Sequence, residues 1–511
     1  MIMKKRSLPL FRSGDIGGMA YALAGNIVNY IIIIGVLLYV FEWPEYLVFG
    51  RVIPGMSIGL MGSGIYYAWM ANRLAKKEGR SDVTALPSGV STPAMFVYLW
   101  GVIAPLNYAI DKPEDVWMVA VAATFLGGVI EALGSFVGPW LRKFLPRAAL
   151  LGTVGGIALV WMANKGFYDV YADPILGMPI LLIAIIGLIG GYVFPKKIPA
   201  LLIAIVGGIG YAFVLGRVTP DVSGFGFTLT NPVTGINAIM TGLASISPYL
   251  AVIIPIQIYN FIETMDNVES AIAAGDRYSV REAQIADGAM TMLSAVFGGV
   301  VPNTVWLGHP GLKKGNAGSG YSWISGLILG AAGIFGAYAF VNSLMPPVIA
   351  AITFIWCSIV IIVQAFREAA PLKHGAAIVV AFIPHIADYV YTEIELTLFS
   401  QGVYEITPEV TSALLGEGVM WSGVMELKYG AILTSMLWAA ITAFIIDKRL
   451  DKAGYVSLAA SVLALVGFIH TPSLGLTVNP FFYGYLIMGI MCILFSALKN
   501  NFKSPDGYDY V

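Results

Sequence analysis

Long apolar runs, separated by short charged connections, recur along almost the whole 511-residue chain. A bilayer core of about 30 Å needs about 20 apolar residues per helix, and most of these runs reach that length. The first run, residues 17–40, follows four basic residues: Lys4, Lys5, Arg6 and Arg12. A cleaved secretory signal has an apolar core of only about 7–15 residues, so we interpret this run as a retained first span.

The scarcity of charge supports a lipid environment. Charged residues make up 12% of the chain and the mean hydropathy is +0.79, whereas soluble domains carry about 25% charged residues. A net charge of −1 gives no field that would attract nucleic acid. The two cysteines and four histidines have no metal-ligand spacing, and no phosphate-binding loop appears. The sequence therefore predicts an all-α polytopic membrane protein without a metal or cofactor, and not an ATP-driven pump.

We identify fourteen core segments, followed by a C-terminal helical hairpin. The first seven lie near residues 17–40, 47–71, 89–108, 117–140, 148–168, 174–194 and 198–216. A polar stretch, 217–240, precedes the next seven, which lie near residues 247–273, 284–300, 303–312, 320–343, 345–365, 373–391 and 428–446. The hairpin lies near 455–470 and 480–498. The predicted units are therefore 1–235 and 236–450, one repeat each, and 451–511, the hairpin and tail.

The distribution of Lys and Arg fixes the predicted orientation. If the N-terminus is cytoplasmic, alternate connections are cytoplasmic too, and these hold all but five of the 29 basic residues. The exceptions are Arg51, Lys112, Lys165, Arg217 and Lys428. This bias matches the positive-inside rule. It predicts a multi-pass protein of the inner (cytoplasmic) membrane with both termini cytoplasmic, and it places the polar stretch 392–427 outside as a solvated cap.

The third segment of each half is interrupted. Residues 82–96 read DVTALPSGVSTPAMF, and residues 297–316, which contain the short segment 303–312, read FGGVVPNTVWLGHPGLKKGN, with Pro302, Pro310, Gly308 and Gly311 as helix breakers. Irregular backbone at membrane depth is tolerated only where protein buries it or where it lines a cavity. Matching breaks in two halves of seven segments indicate an inverted repeat with a midplane site. Candidate substrate-binding residues at these breaks are Ser91, Thr92, Asn303, Thr304, Trp306 and His309. The alternative is a re-entrant turn in which His309 is a buried core residue.

Polar residues form a stripe on the helix that begins the second half. In YNFIETMDNVES, helical spacing places Glu263, Asp266 and Asn267 on one face, together with Tyr259 and Ser270. Two carboxylates this close disfavour joint ionisation, so one is expected to hold a proton. We predict that Glu263 and Asn267 bind substrate and that Glu263 or Asp266 carries a coupled proton. The alternative is a hydrogen-bonded cluster that joins two helices.

Three further polar residues lie inside apolar helices. Glu131 is a second proton site or a tie between helices, and the sequence leaves both interpretations open. Asn26 and Asn29 in the first segment either face the same cavity or lock two helices together.

Several motifs resemble the nucleobase–ascorbate superfamily of xanthine/uracil permeases, and most closely its adenine/guanine/hypoxanthine branch. They are Phe261-Ile262-Glu263-Thr264-Met265-Asp266, Ala286-Asp287, FGGVVPNTVW and PHIADYV. The resemblance implies a core domain (segments 1–4 and 8–11) that moves against a gate domain (segments 5–7 and 12–14). It also implies import of a purine or pyrimidine base with H⁺ or Na⁺, and it allows a homodimer. One departure is that the family's glutamate after the tenth-segment motif is replaced by Leu307-Gly308-His309.

The function predicted from these features is a proton-coupled nucleobase symporter that works by alternating access. The main alternative is an anion transporter or exchanger on the same fold, which the missing glutamate favours. A membrane-embedded enzyme or sensor, and a passive channel, are less consistent with the sequence. An enzyme requires a nucleophile–base pair or a metal cluster, and neither pattern is present.

Overall fold

A computed structural model describes residues 8–110, 112–141, 146–192, 194–195, 200–306, 308–401, 403, 406–472 and 474–498. The first half contains α1 (Asp15–Gly35), α2 (Glu45–Leu47), α3 (Ile53–Glu78), β1 (Ser88–Val90), α4 (Thr92–Val97), α5 (Ala104–Ala109), α6 (Pro113–Leu141), α7 (Arg147–Ile157), α8 (Asn164–Ala172), α9 (Pro174–Leu188), α10 (Ala200–Val214) and α11 (Pro232–Leu243). The second half contains α12 (Leu250–Ala273), α13 (Val280–Val296), β2 (Asn303–Val305), α14 (His309–Lys314), α15 (Gly320–Ile334), α16 (Ala337–Ser343), α17 (Pro347–Ala369), α18 (Gly375–Ser400), α19 (Pro408–Gly416), α20 (Trp421–Lys428), α21 (Ala431–Ile446), α22 (Leu450–Val466) and α23 (Pro480–Ala497).

Several helices continue through π-helical turns into their neighbours. Such turns occupy Val36–Val40, Val48–Val52, Tyr98–Ile103 and Ala158–Ala163. Among the described residues, six helices are long and apolar enough to cross a membrane. They are Asp15–Val40, Glu45–Glu78, Pro113–Phe136, Arg147–Ala172, Gly375–Glu395 and Pro480–Ala497. Three further pairs of helices pass the same test but are bent by more than 40°. The predicted all-α polytopic membrane fold is confirmed.

Two segment boundaries differ from the prediction. Helix α11 begins at Pro232, inside the stretch predicted to be polar connection, because Asn231 caps it by accepting a hydrogen bond from the Val233 amide at 2.9 Å. Helix α18 continues to Ser400, past the predicted end at residue 391. The sequence has no Gly or Pro between Pro384 and Gly402, so nothing interrupts the helix there.

The chain divides into two compact units. Unit 1 comprises residues 1–139, 168–247 and 256–353. Within it α3 packs against α13 and α15, and both short strands lie in this unit. Gly128 of α6 and Gly288 of α13 face each other, and a Cβ on either would meet the other's carbonyl oxygen. Small residues therefore bring these two helices into close contact, as is common inside membranes.

Unit 2 comprises residues 140–167, 248–255 and 354–511. Its α18 packs against α7 and α21, and Ser435 links the three helices. The Ser435 hydroxyl donates to the Ala381 carbonyl oxygen at 2.6 Å and lies 2.9 Å from the Thr153 hydroxyl. Helices α22 and α23 pack against each other as the predicted hairpin, with Gly454 and Gly489 at their contact.

Some basic residues used for the predicted orientation lie outside the described residues. They are Lys4, Lys5, Arg6, Arg142, Lys143, Lys196, Lys197, Lys499 and Lys503.

Candidate substrate and ion site

The two predicted breaks meet in unit 1 as a pair of antiparallel strands. The register aligns Ser88 with Val305, Gly89 with Thr304, and Val90 with Asn303. The pairing extends at both ends, because the Ser91 amide donates to the Pro302 carbonyl and the Trp306 amide donates to that of Pro87. The two breaks therefore satisfy each other's backbone hydrogen bonds, which a membrane interior requires.

Helix α1 holds β1 through two asparagines. The Asn26 side-chain oxygen accepts from the Val90 amide at 3.2 Å, and the Asn29 amide donates to the Val90 carbonyl at 3.2 Å. Gly89 is required between them, because a Cβ there would meet the Asn26 side chain and the Trp306 ring. Both asparagines thus hold α1 against β1, rather than locking two helices together.

Segment three resumes as a helix directly after β1. The Ser91 hydroxyl accepts from the Ala94 amide at 3.4 Å and so caps the helix, which continues through Tyr98–Ile103 to Ala109. The Thr92 hydroxyl donates to the Asn29 side-chain oxygen at 3.1 Å. The positive end of this 92–109 helix therefore lies at the strand pair.

Helix α12 presents a polar face to β2. Asn260 donates to the Asn303 carbonyl at 3.3 Å, and Asn267 donates to that of Val305 at 2.7 Å. Between them the Thr264 hydroxyl lies 2.8 Å from that of Thr304. Asn267 was predicted from the sequence as a site residue, whereas Asn260 and Thr264 were not. Their i, i+4, i+7 spacing was the signal that could have identified them.

The remaining predicted residues lie beside this face. One carboxylate oxygen of Glu263 is buried without a hydrogen-bond partner among the described residues. Asp266 is half-buried on the same helix. The Trp306 indole donates to the Val90 carbonyl at 3.1 Å, and its ring packs edge-on against Tyr21. The substrate and proton roles predicted for these residues stay predictions.

Two carboxylates that the sequence did not pair come together behind β2. Thr264 Oγ1 lies 3.1 Å from Glu131 Oε1 and 3.1 Å from Asp287 Oδ2. Asp287 also accepts from the Val305 amide at 2.8 Å and from the Tyr67 hydroxyl at 2.5 Å. Glu131 and Asp287 are both fully buried. Glu131 and Asp287 lie on helices that are far apart in the sequence, so no residue spacing could have predicted that the two carboxylates meet.

His309 lies in a charged cluster around Asp276, in the loop between α12 and α13. Asp276 lies 2.7 Å from Arg80 Nη2, 2.5 Å from Lys313 Nζ and 3.1 Å from His309 Nε2, and it also accepts from the Thr84 amide. Burial raises the pKa of Asp276, but these hydrogen bonds outweigh burial and hold that pKa well below its usual range. The side chain of His309 is only 1% exposed. Its predicted role in substrate binding stays a prediction.

Two of the cavities that the described residues form lie in unit 1. One, of about 730 Å³, is lined by Tyr39, Tyr46, Arg217, Phe225 and Asn342 among others, and by none of the predicted site residues. The other, of about 10 Å³, lies beside Asn26 and Ser88, and it has room for about one water. Among the described residues no group of three or more His, Cys, Asp or Glu side chains is placed to hold a metal ion.

No model of a known protein family matches the chain, and no curated protein matches its sequence. Its structure is similar to "the transmembrane domain of a cyanobacterium bicarbonate transporter BicA", with 14% identity and a TM-score of 0.52, over 86% of this chain and 100% of that one. It is also similar to SLC26A9, with 11% identity and a TM-score of 0.50, over 76% of this chain and 66% of that one. At these identities the likeness establishes the fold alone, which is that of a multi-pass α-helical transmembrane domain.

The predicted membership of the xanthine/uracil permease superfamily was wrong. No family model supports it, and these neighbours belong to a different family that shares the fold. The motifs that carried the prediction serve the fold itself. The Pro302-Asn303-Thr304 run starts β2, and Asp287 of the Ala-Asp pair accepts from a β2 amide.

Proposed function

We propose that this protein is a secondary transporter that carries a small anion together with a proton by alternating access. The observation that carries the proposal is the strand pair of unit 1, at which the 92–109 helix begins with its positive end. The similarity to a bicarbonate transporter supports an anion as substrate. The tenth segment also has Leu307-Gly308-His309 where nucleobase permeases carry a glutamate.

The charges around the strand pair explain why the anion would require a proton. Glu263 lies on α12 next to Thr264, which contacts β2, and the Thr264 hydroxyl also contacts the buried carboxylates of Glu131 and Asp287. A second negative charge brought to this site would be repelled by an ionised carboxylate in a medium that screens poorly. Protonation removes that repulsion, so anion and proton bind together. Ser91, Thr92, Asn267, Asn303, Thr304 and Trp306 would shape the site.

The proposal includes the inner membrane as location and cytoplasmic termini, for which the distribution of Lys and Arg is the support. We propose a proton and not sodium as the coupled ion. In the described part of the chain, the carboxylates near β2 lie at hydrogen-bond distances from hydroxyl and amide groups, which suits a carboxyl group that gains and loses a proton.

The test is uptake by proteoliposomes that contain the purified protein. Labelled bicarbonate, sulfate, formate and chloride are each supplied with and without an inward proton gradient, and adenine and uracil serve as comparison solutes. We expect one of the anions to accumulate only when the proton gradient is imposed. Protein-free liposomes provide the background, and uptake by the variant Gly89→Val, whose side chain would meet Asn26 and Trp306, is expected to fall to that level. Accumulation of a nucleobase alone, or of no anion, contradicts the proposal.

A further inference from the structure

The pair Glu131 and Asp287 lies behind β2, and the proposed anion site does not use it. We propose that these two carboxylates, bridged by Thr264, share one proton, and that this proton is the one that is co-transported. The second part rests on the proposed function, whereas the first part stands on geometry alone.

The oxygen atoms of this cluster need a hydrogen that the charged forms of the carboxylates lack. Thr264 Oγ1 has three oxygen neighbours: Glu131 Oε1 and Asp287 Oδ2, each at 3.1 Å, and Thr304 Oγ1 at 2.8 Å. Its own hydroxyl supplies one hydrogen, and the Thr304 hydroxyl supplies another. A third contact is satisfied only if one carboxyl group is a donor, which means that it is protonated.

An unpartnered atom on Asn260 points to the same missing hydrogen. Asn260 is fully buried and donates to Glu131 Oε2 at 2.8 Å, so its amide lies against the pair. Its side-chain oxygen has no donor among the described residues. The buried cluster is therefore short of a donor at this amide as well as at Thr264.

No positive charge among the described residues neutralises the pair. The titratable groups that face it are Tyr67 from α3, Tyr98 from the π-helical turn of segment three, and Glu263 from α12. From α13 the group at this site is Asp287 itself, since Arg281 and Glu282 of that helix contact Phe136 and Arg73 instead. Strand β2 contributes the Val305 amide and the Thr304 hydroxyl. Two buried negative charges without a cation are far more costly than one charge and one acid.

The contacts of Asp287 and Thr264 connect the shared proton to the proposed anion site. Asp287 accepts from the Val305 amide, and Thr264 contacts Thr304, so both link the pair to β2. Loss of the proton changes which of these groups donate and which accept. Strand β2 would then be held differently, and β2 is half of the strand pair on which the 92–109 helix begins.

Infrared difference spectroscopy of the purified protein, without substrate, tests the proton site. Wild-type protein at neutral pH should show the carbonyl stretch of a protonated carboxylic acid, and Glu131→Gln should remove a component of that band. Gln has the size and the donor capacity of the protonated acid, so this variant is expected to fold. Asp287→Asn is the second variant, and it should remove the same component. Glu409→Gln, at an exposed position in α19, is the control and should leave the band unchanged.

A band that persists in both pair variants, or that sodium chloride abolishes in the wild type at constant pH, overturns the proton assignment. Uptake by proteoliposomes tests the coupling separately. In Glu131→Gln, accumulation of the transported anion under a proton gradient should fall to the level reached without the gradient. Undiminished proton-driven accumulation there overturns the coupling. If no anion is transported by the wild type, the proposed function fails while the infrared result still decides whether the pair holds a proton.

Discussion

The side-chain oxygens of Thr264 and Thr304 lie 2.8 Å apart, so helix α12 and strand β2 are joined through two hydroxyl groups. Both side chains are buried, with 0% and 1% of their surface exposed. The same Thr264 hydroxyl contacts two carboxylates from other helices. One small side chain therefore connects the broken tenth segment to the ionisable centre of unit 1.

Replacing Thr264 by Val tests that connection. The substitution keeps the shape but leaves buried oxygens without their partner, so we expect a loss of about 1–3 kcal/mol in the free energy of unfolding. The measurement is the thermal midpoint of the detergent-purified protein. Thr124→Val is the matched control, because Thr124 is equally buried but its hydroxyl donates only to the Ala120 carbonyl of its own helix. An equal fall in both variants would show that Thr264 has no special role.

The close approach of Gly89 to α1 and Trp306 gives a second prediction. In Gly89→Ala the added Cβ would meet the Asn26 side chain and the indole ring. We expect the strand pair to be displaced and anion uptake to fall, together with a destabilisation of about 1–3 kcal/mol from overpacking. Gly210→Ala in α10 is the control, since nothing lies within 4 Å of a Cβ there. Normal uptake by the Gly89 variant would show that the strand geometry is not essential to transport.

The charged cluster around Asp276 gives a third prediction. In Asp276→Asn the partly exposed Arg80 and Lys313 lose a fully buried carboxylate partner. Breaking a buried ion pair lowers the free energy of unfolding by about 3–5 kcal/mol. Because the two cations are partly exposed to solvent, we expect a smaller loss of about 2–3 kcal/mol. The check is the urea or thermal midpoint. Asp221→Asn, an exposed loop carboxylate that accepts from Ser223, should show no comparable loss.

The pH dependence of the Asp276 cluster follows from its lowered pKa. A carboxyl group with a depressed pKa in the folded state stabilises the fold fully above its unfolded value of about 4, and loses that contribution only as the pH falls through the lower folded value. Acidification from pH 8 to 5 should therefore not reproduce the effect of Asp276→Asn. A stability profile that falls steeply over that range in the wild type, but not in the variant, would contradict this.

His309 gives a fifth prediction, which separates the role predicted from the sequence from the role that its position favours. Its ring lies against Asp276 and the Thr84 carbonyl oxygen at 3.1 Å each. We expect His309→Gln to lower the thermal midpoint while the KM for the transported anion stays close to the wild-type value. A large change in KM at unchanged stability would instead support the substrate-binding role.

Much of the fold could be predicted because lipid leaves few alternatives. A chain with this few charges must form helices of membrane length. The positions of Lys and Arg then indicate which connections between the helices are cytoplasmic. The breaks at 82–96 and 303–312 were also visible, because Pro and Gly interrupt the apolar runs there. Their pairing as β1 and β2 follows from the need to satisfy backbone groups that no helix covers.

The sequence by itself determined the solvent, the helices and the two interrupted segments, since these depend on composition and on local backbone chemistry. Only the tertiary structure decided which polar side chains meet. Glu131 looked like a lone carboxylate, and Asp287 like part of a family motif, until the packing of α6, α12 and α13 brought both to Thr264. Contacts between residues more than a hundred positions apart depend on the three-dimensional arrangement of whole helices. A local pattern carries no record of that arrangement, which is why the same motifs pointed to the wrong family.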